Sequence, residues 1–306
     1  MTVHPQIGAF LATLPPGDGS TPDVAAWRAE GESHVPPVAE RVPVHSVVDS
    51  VAETAGGRVP VRVYRTSDAL ASGVVVYFHG GAFFSGSLET HDHIARALAN
   101  STGFTVISVD YRLAPEAAYP AGLDDCFAVV KWVDAHADEL HWDGTRLALV
   151  GDSSGGSFVA AVTARAHDEG FDKVTHQVLL YPSVDLDFDE SRYPSLRDNA
   201  VGFGLETKAL KPHNSFYIAS GASPADPLVS PIKRTDLSGL PQALVITAEH
   251  DPLRDEGEAY AMRLRDAGVP VTIHRYDGAT HGFVQYFAWL PEYAGVFDEI
   301  AAFVLS

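Results

Sequence analysis

The chain has 306 residues, of which 46% are hydrophobic and 20% are charged, enough for a large core in one α/β domain or in two ordinary ones. Its 40 acidic and 21 basic residues give a net charge of −19, which argues against nucleic acid and anionic membranes as partners. The single cysteine, Cys126, excludes an intramolecular disulfide, and its apolar surroundings predict a buried structural thiol.

The N-terminal residues show no targeting segment. Residues 1–5 lack a basic region followed by an apolar run, so the sequence predicts no signal peptide. No apolar run approaches the length of a membrane span. We therefore expect a cytoplasmic protein without a membrane partner.

The chain begins with an irregular segment. Residues 1–40 are rich in proline and glycine, with short amphipathic pieces between, and this predicts two small helices joined by turns. Residues 42–53 and 59–65 then read as β-strands, with a hairpin turn at Gly56-Gly57.

Apolar strands and amphipathic helices alternate from there on. Strands are predicted at 74–78, 104–109, 147–150, 178–181, 243–247 and 271–276, and helices at 93–100, 124–136, 255–266 and 292–304. This order predicts an α/β fold with a mostly parallel sheet covered by helices on both faces.

One polar and aromatic stretch, residues 183–223, interrupts the alternation. We expect it to form a cap over the site together with residues 1–40. The two parts of the core would then be residues 41–182 and 224–306.

The most informative motif is Gly151-Asp152-Ser153-Ser154-Gly155-Gly156, between a predicted strand and a helix-compatible segment. The pattern G-x-S-x-G in that position predicts a nucleophile elbow, a tight turn that exposes the serine hydroxyl. Only Ser153 has glycine on both sides at the required spacing. Ser154 follows it, and its backbone N–H is predicted to face an oxyanion.

A serine nucleophile needs a base and an acid that orients the base. His281 follows the last predicted strand and Asp251 follows the preceding one, so both belong to the same edge of the sheet as the elbow. His250 is the alternative base. Asp277 and Asp255 are alternative acids, although Asp255 is better interpreted as a helix N-cap.

A glycine-rich loop, His79-Gly80-Gly81-Ala82-Phe83, follows the strand at 74–78. Acyl transfer needs N–H donors at the developing oxyanion, and glycines let the backbone approach the substrate closely. We expect Gly80, Gly81, Ala82 and Ser154 to supply the oxyanion hole.

These motifs, with the segments 111–116, 251–255 and 281–283, resemble the hormone-sensitive-lipase family of carboxylesterases (bacterial esterase family IV) over almost the whole chain. Two positions depart from the family pattern: Ala82 replaces a third glycine, and Ser154 replaces an alanine. Both positions act through a backbone N–H, so neither should abolish the hole. The resemblance implies an α/β-hydrolase fold with a helical cap.

The predicted function is a serine carboxylesterase that hydrolyses short-chain acyl esters, with a small-molecule ester as its partner and no cofactor or metal. The pocket residues are predicted to be Phe83, Phe84, Phe203 and Phe283. An amidase or deacetylase with the same triad stays open, as does a non-catalytic binding protein on this scaffold. A homodimer also stays open.

Overall fold

A computed structural model of the chain describes residues 2–14, 17 and 19–306. Met1, Pro15, Pro16 and Asp18, which belong to the predicted N-terminal cap segment, lie outside the described residues.

One sheet of eight strands forms the centre of the molecule, in the order β1-β2-β4-β3-β5-β6-β7-β8. The strands from β3 to β8 run parallel, whereas β2 pairs antiparallel with both β1 and β4. The strand bounds are β1 Ser46–Thr54, β2 Gly57–Arg65, β3 Val74–Phe78, β4 Thr105–Val109, β5 Leu147–Asp152, β6 Val174–Leu180, β7 Gln242–His250 and β8 Val271–Thr280. The prediction of a mostly parallel sheet is confirmed.

Ten α-helices accompany the sheet within the described residues. They are α1 Pro5–Leu11, α2 Val24–Ser33, α3 Asp92–Thr102, α4 Ala121–Ala135, α5 Ser154–Asp168, α6 Ser195–Asp198, α7 Thr207–Asn214, α8 Arg254–Asp266, α9 Phe283–Tyr286 and α10 Val296–Val304. Helices α4, α5 and α8 cover one face of the sheet, and α3 and α10 cover the other. Each face buries its own apolar cluster, because the side chains of a strand alternate between the two faces.

The central strands are fully buried, which explains their continuous apolar sequence. All five residues of β3 and all five of β4 are buried. Cys126 of α4 is also buried, as predicted, and burial raises the pKa of its thiol.

The first strand starts later than predicted. Residues 42–45 lie outside β1, although the sequence assigns them to it. Pro43 has no N–H to donate to a neighbouring strand. The carbonyls of Val42 and Pro43 accept hydrogen bonds from Arg96 and Asn100 of α3 instead.

Residues 183–223 contain no strand, and only the short helices α6 and α7 lie there. Among the helices of the described residues, none has the length and apolar character needed to cross a bilayer. Because β3, β5, β7 and β8 run parallel, they end at the same edge of the sheet, where the loops that follow them can meet.

Candidate active site

The turn between β5 and α5 is sharp, and Ser153 lies at its apex. Ser153 has φ 54° and ψ −118°, a conformation that residues other than glycine rarely adopt. A Cβ on Gly151 would lie 2.3 Å from the carbonyl oxygen of Gly155, and a Cβ on Gly155 would lie 2.0 Å from that of Phe78. The turn therefore requires glycine on both sides of the serine, and this is the physical reason for the motif.

His281 connects Ser153 to a buried carboxylate. Its Nε2 lies 2.9 Å from Ser153 Oγ, and its Nδ1 lies 2.7 Å from Asp251 Oδ2. The other oxygen of Asp251 accepts the Leu253 N–H at 2.8 Å. The Asn199 amide donates to the Asp251 carbonyl at 3.0 Å and so fixes the loop after β7. The structure brings together the three side chains predicted as nucleophile, base and acid. The histidine lies between the serine and the aspartate, in a position to take the serine proton.

The alternative base and acids lie outside this chain of hydrogen bonds. His250 stacks on the ring of Phe203, with centroids 4.8 Å apart. Asp277 is exposed on β8. Asp255 lies inside the first turn of α8 rather than before it, so its predicted role as an N-cap is wrong. Its carboxylate accepts the Ser195 N–H at 2.8 Å instead.

The loop after β3 turns tightly beside the elbow. Gly81, Ala82 and Phe83 have φ values of 125°, 49° and 66°. A Cβ on Gly81 would lie 2.2 Å from the carbonyl oxygen of Ser85, so that position requires glycine. Ala82 tolerates the left-handed region with its single methyl group and borders the same cavity as Ser153.

Backbone donors in this loop and at the start of α5 are available to a ligand. The N–H groups of Gly81, Ala82 and Ser154 make no hydrogen bond within the part of the chain that the structure describes. The N–H of Gly80, by contrast, donates to Asp152 Oδ1 at 2.9 Å. Gly80 is therefore not a free donor, which contradicts its predicted role in the oxyanion hole; the other three predicted donors keep a free N–H among the described residues.

Asp152 is the residue whose importance the sequence did not reveal. One oxygen of its buried carboxylate accepts the Tyr77 hydroxyl at 2.6 Å and the Gly80 N–H at 2.9 Å, and His91 Nε2 lies 3.7 Å from the other oxygen. Burial opposes ionisation of Asp152, but the histidine and the tyrosine outweigh it and lower the pKa of this carboxyl. An acidic residue at the end of a fully buried strand was the available signal.

A cavity of about 40 Å³ adjoins Ser153 and His281. Apolar and polar side chains both line it, and its other lining residues are Ala82, Ser154, Ser183, Leu205, Leu210, His213, Asn214 and Leu253. Three of these come from α7, and Leu205 precedes that helix. The cavity therefore lies between the edge of the sheet and the segment 183–223.

The four phenylalanines predicted to shape the pocket do not line this cavity. Phe83, Phe84 and Phe283 are at most 1% exposed and pack into the core, and Phe203 stacks on His250. The lining of this cavity therefore does not support the predicted pocket residues, which stay a prediction; large apolar rings beside a motif are readily buried in the core.

One arginine makes most of the hydrogen bonds that attach helix α2 beside the same loop. Arg28 donates from Nε to the Phe84 carbonyl at 2.7 Å and from Nη2 to the Ala114 carbonyl at 2.8 Å. Its two Nη atoms also contact the Glu116 carboxylate at 2.9 and 2.8 Å. Glu32 of the same helix also accepts the Ser87 hydroxyl at 2.5 Å. Since α2 buries none of its side chains, these polar contacts contribute to fixing its position.

Among the residues that the structure describes, no group of three or more histidine, cysteine or acidic side chains is arranged so that it could hold a metal ion. The hydrogen-bonded serine, histidine and aspartate can activate a nucleophile through proton transfer alone.

Comparison with known proteins gives a consistent result. A family model described as an α/β-hydrolase fold matches residues 75–285, a range that includes Ser153, Asp251 and His281. The chain is 42% identical over 243 residues to an arylesterase of Saccharolobus solfataricus, and this alignment covers 79% of this chain and 78% of the arylesterase. It is 41% identical over 240 residues to the carboxylesterase NlhH of Mycobacterium tuberculosis, covering 76% and 73% respectively.

Solved structures agree with these relatives. A hyperthermophilic esterase from the archaeon Pyrobaculum calidifontis superimposes with a TM-score of 0.91 at 39% sequence identity, covering 99% of this chain and 98% of that one. The similarity thus extends over the core and over the segments around α2 and α7.

Proposed function

Because the chain belongs to the α/β-hydrolase fold family and is a carboxylic ester hydrolase, we propose that Ser153, His281 and Asp251 are its catalytic triad. The observation that supports this assignment best is the position of His281, with one ring nitrogen 2.9 Å from the serine hydroxyl and the other 2.7 Å from the aspartate.

The first half of the reaction makes an acyl-enzyme. Ser153 Oγ attacks the ester carbonyl carbon while His281 Nε2 takes the serine proton. Asp251 accepts the Nδ1–H of His281, which holds the reactive tautomer and stabilises the imidazolium. The carbon–oxygen bond to the alcohol then breaks, and the alcohol leaves with the proton from His281.

The developing oxyanion is stabilised by backbone donors. The N–H groups of Gly81, Ala82 and Ser154 are free to bind it, and the last of these stands at the N-terminus of α5, where the helix dipole favours negative charge. Removal of one such donor typically costs about 3–4 kcal/mol of transition-state stabilisation.

The second half of the reaction regenerates the enzyme. Water attacks the acyl carbonyl as His281 takes one of its protons, and the same donors bind the second oxyanion. The carboxylic acid leaves when His281 returns the proton to Ser153 Oγ. Every step is proton transfer and addition or elimination at one carbon, so the reaction consumes only ester and water.

We propose that residues 1–40 and 183–223 form the cap, and that the core consists of 41–182 and 224–306. In support of this, α7 lines the cavity beside Ser153, and Trp27 of α2 packs edge-on against His213 of α7 at 5.0 Å. A cytoplasmic location and a homodimer stay predictions.

The acyl preference is for short chains. A cavity of about 40 Å³ is far smaller than a site for a drug-sized ligand, which measures about 300 Å³ or more. An acetyl to hexanoyl group suits such a space better than a long fatty acyl chain.

The experiment is a series of p-nitrophenyl esters from acetate to dodecanoate, measured beside the arylamide of the best acyl group. We expect kcat/KM to be highest between acetyl and hexanoyl and to fall for longer chains. Hydrolysis of emulsified long-chain triglyceride at a rate comparable to that of the butyrate ester would exclude the short-chain preference. An arylamide hydrolysed as fast as its ester would show that the protein is an amidase as well as an esterase.

A further inference from the structure

The inner face of α7 brings polar groups to the catalytic cavity. Leu210, His213 and Asn214 all line it, and their spacing of three and four residues places them on one side of the helix. Leu210 and the ring of His213 can contact an alkyl chain. Asn214 offers an amide, a group with no use in a pocket built for alkyl chains alone.

The amide of Asn214 has a defined orientation. Its nitrogen donates to the Leu210 carbonyl at 2.8 Å. Because a carbonyl oxygen only accepts, the nitrogen must occupy that position, and Oδ1 is the atom left over. Asn214 is 6% exposed, and its Oδ1 is buried without a hydrogen-bond partner in the part of the chain that the structure describes.

A second unpaired polar group borders the same cavity. Ser183 lines it, and the Ser183 N–H donates to the Ser153 carbonyl at 3.2 Å, so this residue lies directly beside the nucleophile. The Ser183 hydroxyl is buried and also lacks a partner among the described residues. Two residues of the lining thus carry a buried polar atom without a partner: an acceptor on Asn214 and, on Ser183, a hydroxyl that can donate or accept.

Buried polar groups without partners cost free energy, and each in a folded protein requires an explanation. We infer that the preferred substrate is a short ester that carries a hydroxyl group. That hydroxyl donates to Asn214 Oδ1 and accepts from the Ser183 hydroxyl, so both buried groups gain a partner. An unsubstituted alkyl ester leaves them unpaired. This inference rests on the proposed function of the same site.

The hydroxyl can belong to the acyl half or to the alcohol half of the ester, and two matched pairs of substrates distinguish these sources. p-Nitrophenyl 3-hydroxybutyrate and p-nitrophenyl butyrate share a leaving group and a chain length. Glycerol 1-butyrate and n-propyl butyrate share an acyl group and a three-carbon alcohol. For at least one pair, we expect kcat/KM to be about tenfold or more higher for the hydroxylated ester.

Variants test the two groups. Asn214→Leu and Ser183→Ala should each bring the ratio of the hydroxylated to the plain ester down toward one. The matched control is Leu205→Val, which changes the lining without a polar group and should alter both esters alike. Titration of Ser153 with an organophosphate counts competent sites in every preparation, so a variant that fails to fold is recognised.

The outcomes separate the two hypotheses. If the native enzyme hydrolyses neither the plain nor the hydroxylated esters, the proposed function fails. If the native enzyme hydrolyses the plain esters as fast as the hydroxylated esters in both pairs, only the hydroxyl inference is overturned. This outcome is decided with the native enzyme alone. It is also overturned if both substitutions leave a high ratio unchanged.

Discussion

The carboxylate of Asp152 accepts the N–H of Gly80 at 2.9 Å, and this hydrogen bond joins the loop of the oxyanion donors to the residue before the nucleophile. The contact is close, because a Cβ on Gly80 would lie 2.5 Å from Asp152 Oδ2. One buried side chain therefore links the proposed nucleophile, Ser153, to the loop of the proposed oxyanion donors.

Replacement of Asp152 should damage turnover more than substrate binding. Asp152→Leu leaves the Gly80 N–H and the Tyr77 hydroxyl unpaired and frees the loop, so we expect kcat to fall about 100-fold or more with a small change in KM. Asp152→Asn keeps an acceptor oxygen and should restore part of the loss. Steady-state kinetics on a butyrate ester, with circular dichroism as the fold control, measures both. A normal kcat in Asp152→Leu would contradict this role.

The two adjacent serines should differ sharply. Ser153→Ala removes the nucleophile and should lower kcat about 10⁴-fold or more. Ser154→Ala keeps the backbone N–H and loses the contacts of its Oγ, which accepts the Phe83 N–H at 3.3 Å and interacts with the Tyr111 hydroxyl. We expect it to retain activity within about tenfold.

Labelling with an organophosphate and peptide mapping identifies the reactive serine independently of these rates. Modification of Ser154, or full activity in Ser153→Ala, would contradict the assignment of the nucleophile.

Local patterns predicted the parts of the molecule that local forces determine. The predicted strand at 74–78 has the same first and last residues in the structure, because a short apolar run between turn residues leaves little choice of where the strand begins and ends. The choice of His281 over His250 came from topology, because the ends of parallel strands meet at one edge of the sheet. Ser153 was selected by the backbone requirement for glycine at 151 and 155.

Long-range contacts explain what the sequence did not predict. The N–H of Gly80 looks as free as that of Gly81 until Asp152 is known to lie against it. Phe83 and Phe84 stand beside a catalytic motif, but side-chain direction depends on the positive φ of this loop, which composition does not encode. Asn214 looks like an ordinary helix residue, and only the fold brings it to the cavity.

Acid should destabilise the protein through His79. This histidine is completely buried and stacks on Tyr111 with centroids 4.3 Å apart. Burial, with a smaller contribution from His91, lowers the pKa of His79 from its ordinary 6.5 to about 3. At a pH between these two values, His79 is protonated in the unfolded chain and neutral in the folded chain. The free energy of unfolding should therefore be unaffected by His79 above pH 6.5 and decrease as the pH falls below it.

The expected contribution is about 1.4 kcal/mol per pH unit, or roughly 2–3 kcal/mol between pH 6.5 and 4.5. The measurement is urea unfolding across this range for the native chain and for His79→Phe, which keeps a ring against Tyr111. Other buried groups titrate in both, so the difference between the two slopes isolates His79. Parallel curves would contradict the prediction.

Loss of the Arg28 side chain should release α2. This helix buries none of its side chains, and Arg28 alone contacts the Phe84 carbonyl, the Ala114 carbonyl and the Glu116 carboxylate. The exposed ion pair contributes little by itself, whereas each buried carbonyl left without a donor costs about 1–3 kcal/mol. In Arg28→Met we therefore expect faster amide hydrogen exchange in residues 24–33 at an unchanged exchange rate in β5.

The matched control for this variant is Glu116→Gln, which weakens the ion pair but keeps both carbonyl contacts, so its exchange should resemble that of the native chain. Since Trp27 on the same helix packs against His213 of the cavity lining, release of α2 should also raise KM for the butyrate ester more than it lowers kcat. If exchange in α2 of Arg28→Met stays at the native rate, the helix is fixed by contacts other than this arginine, and a change in KM would then have another origin.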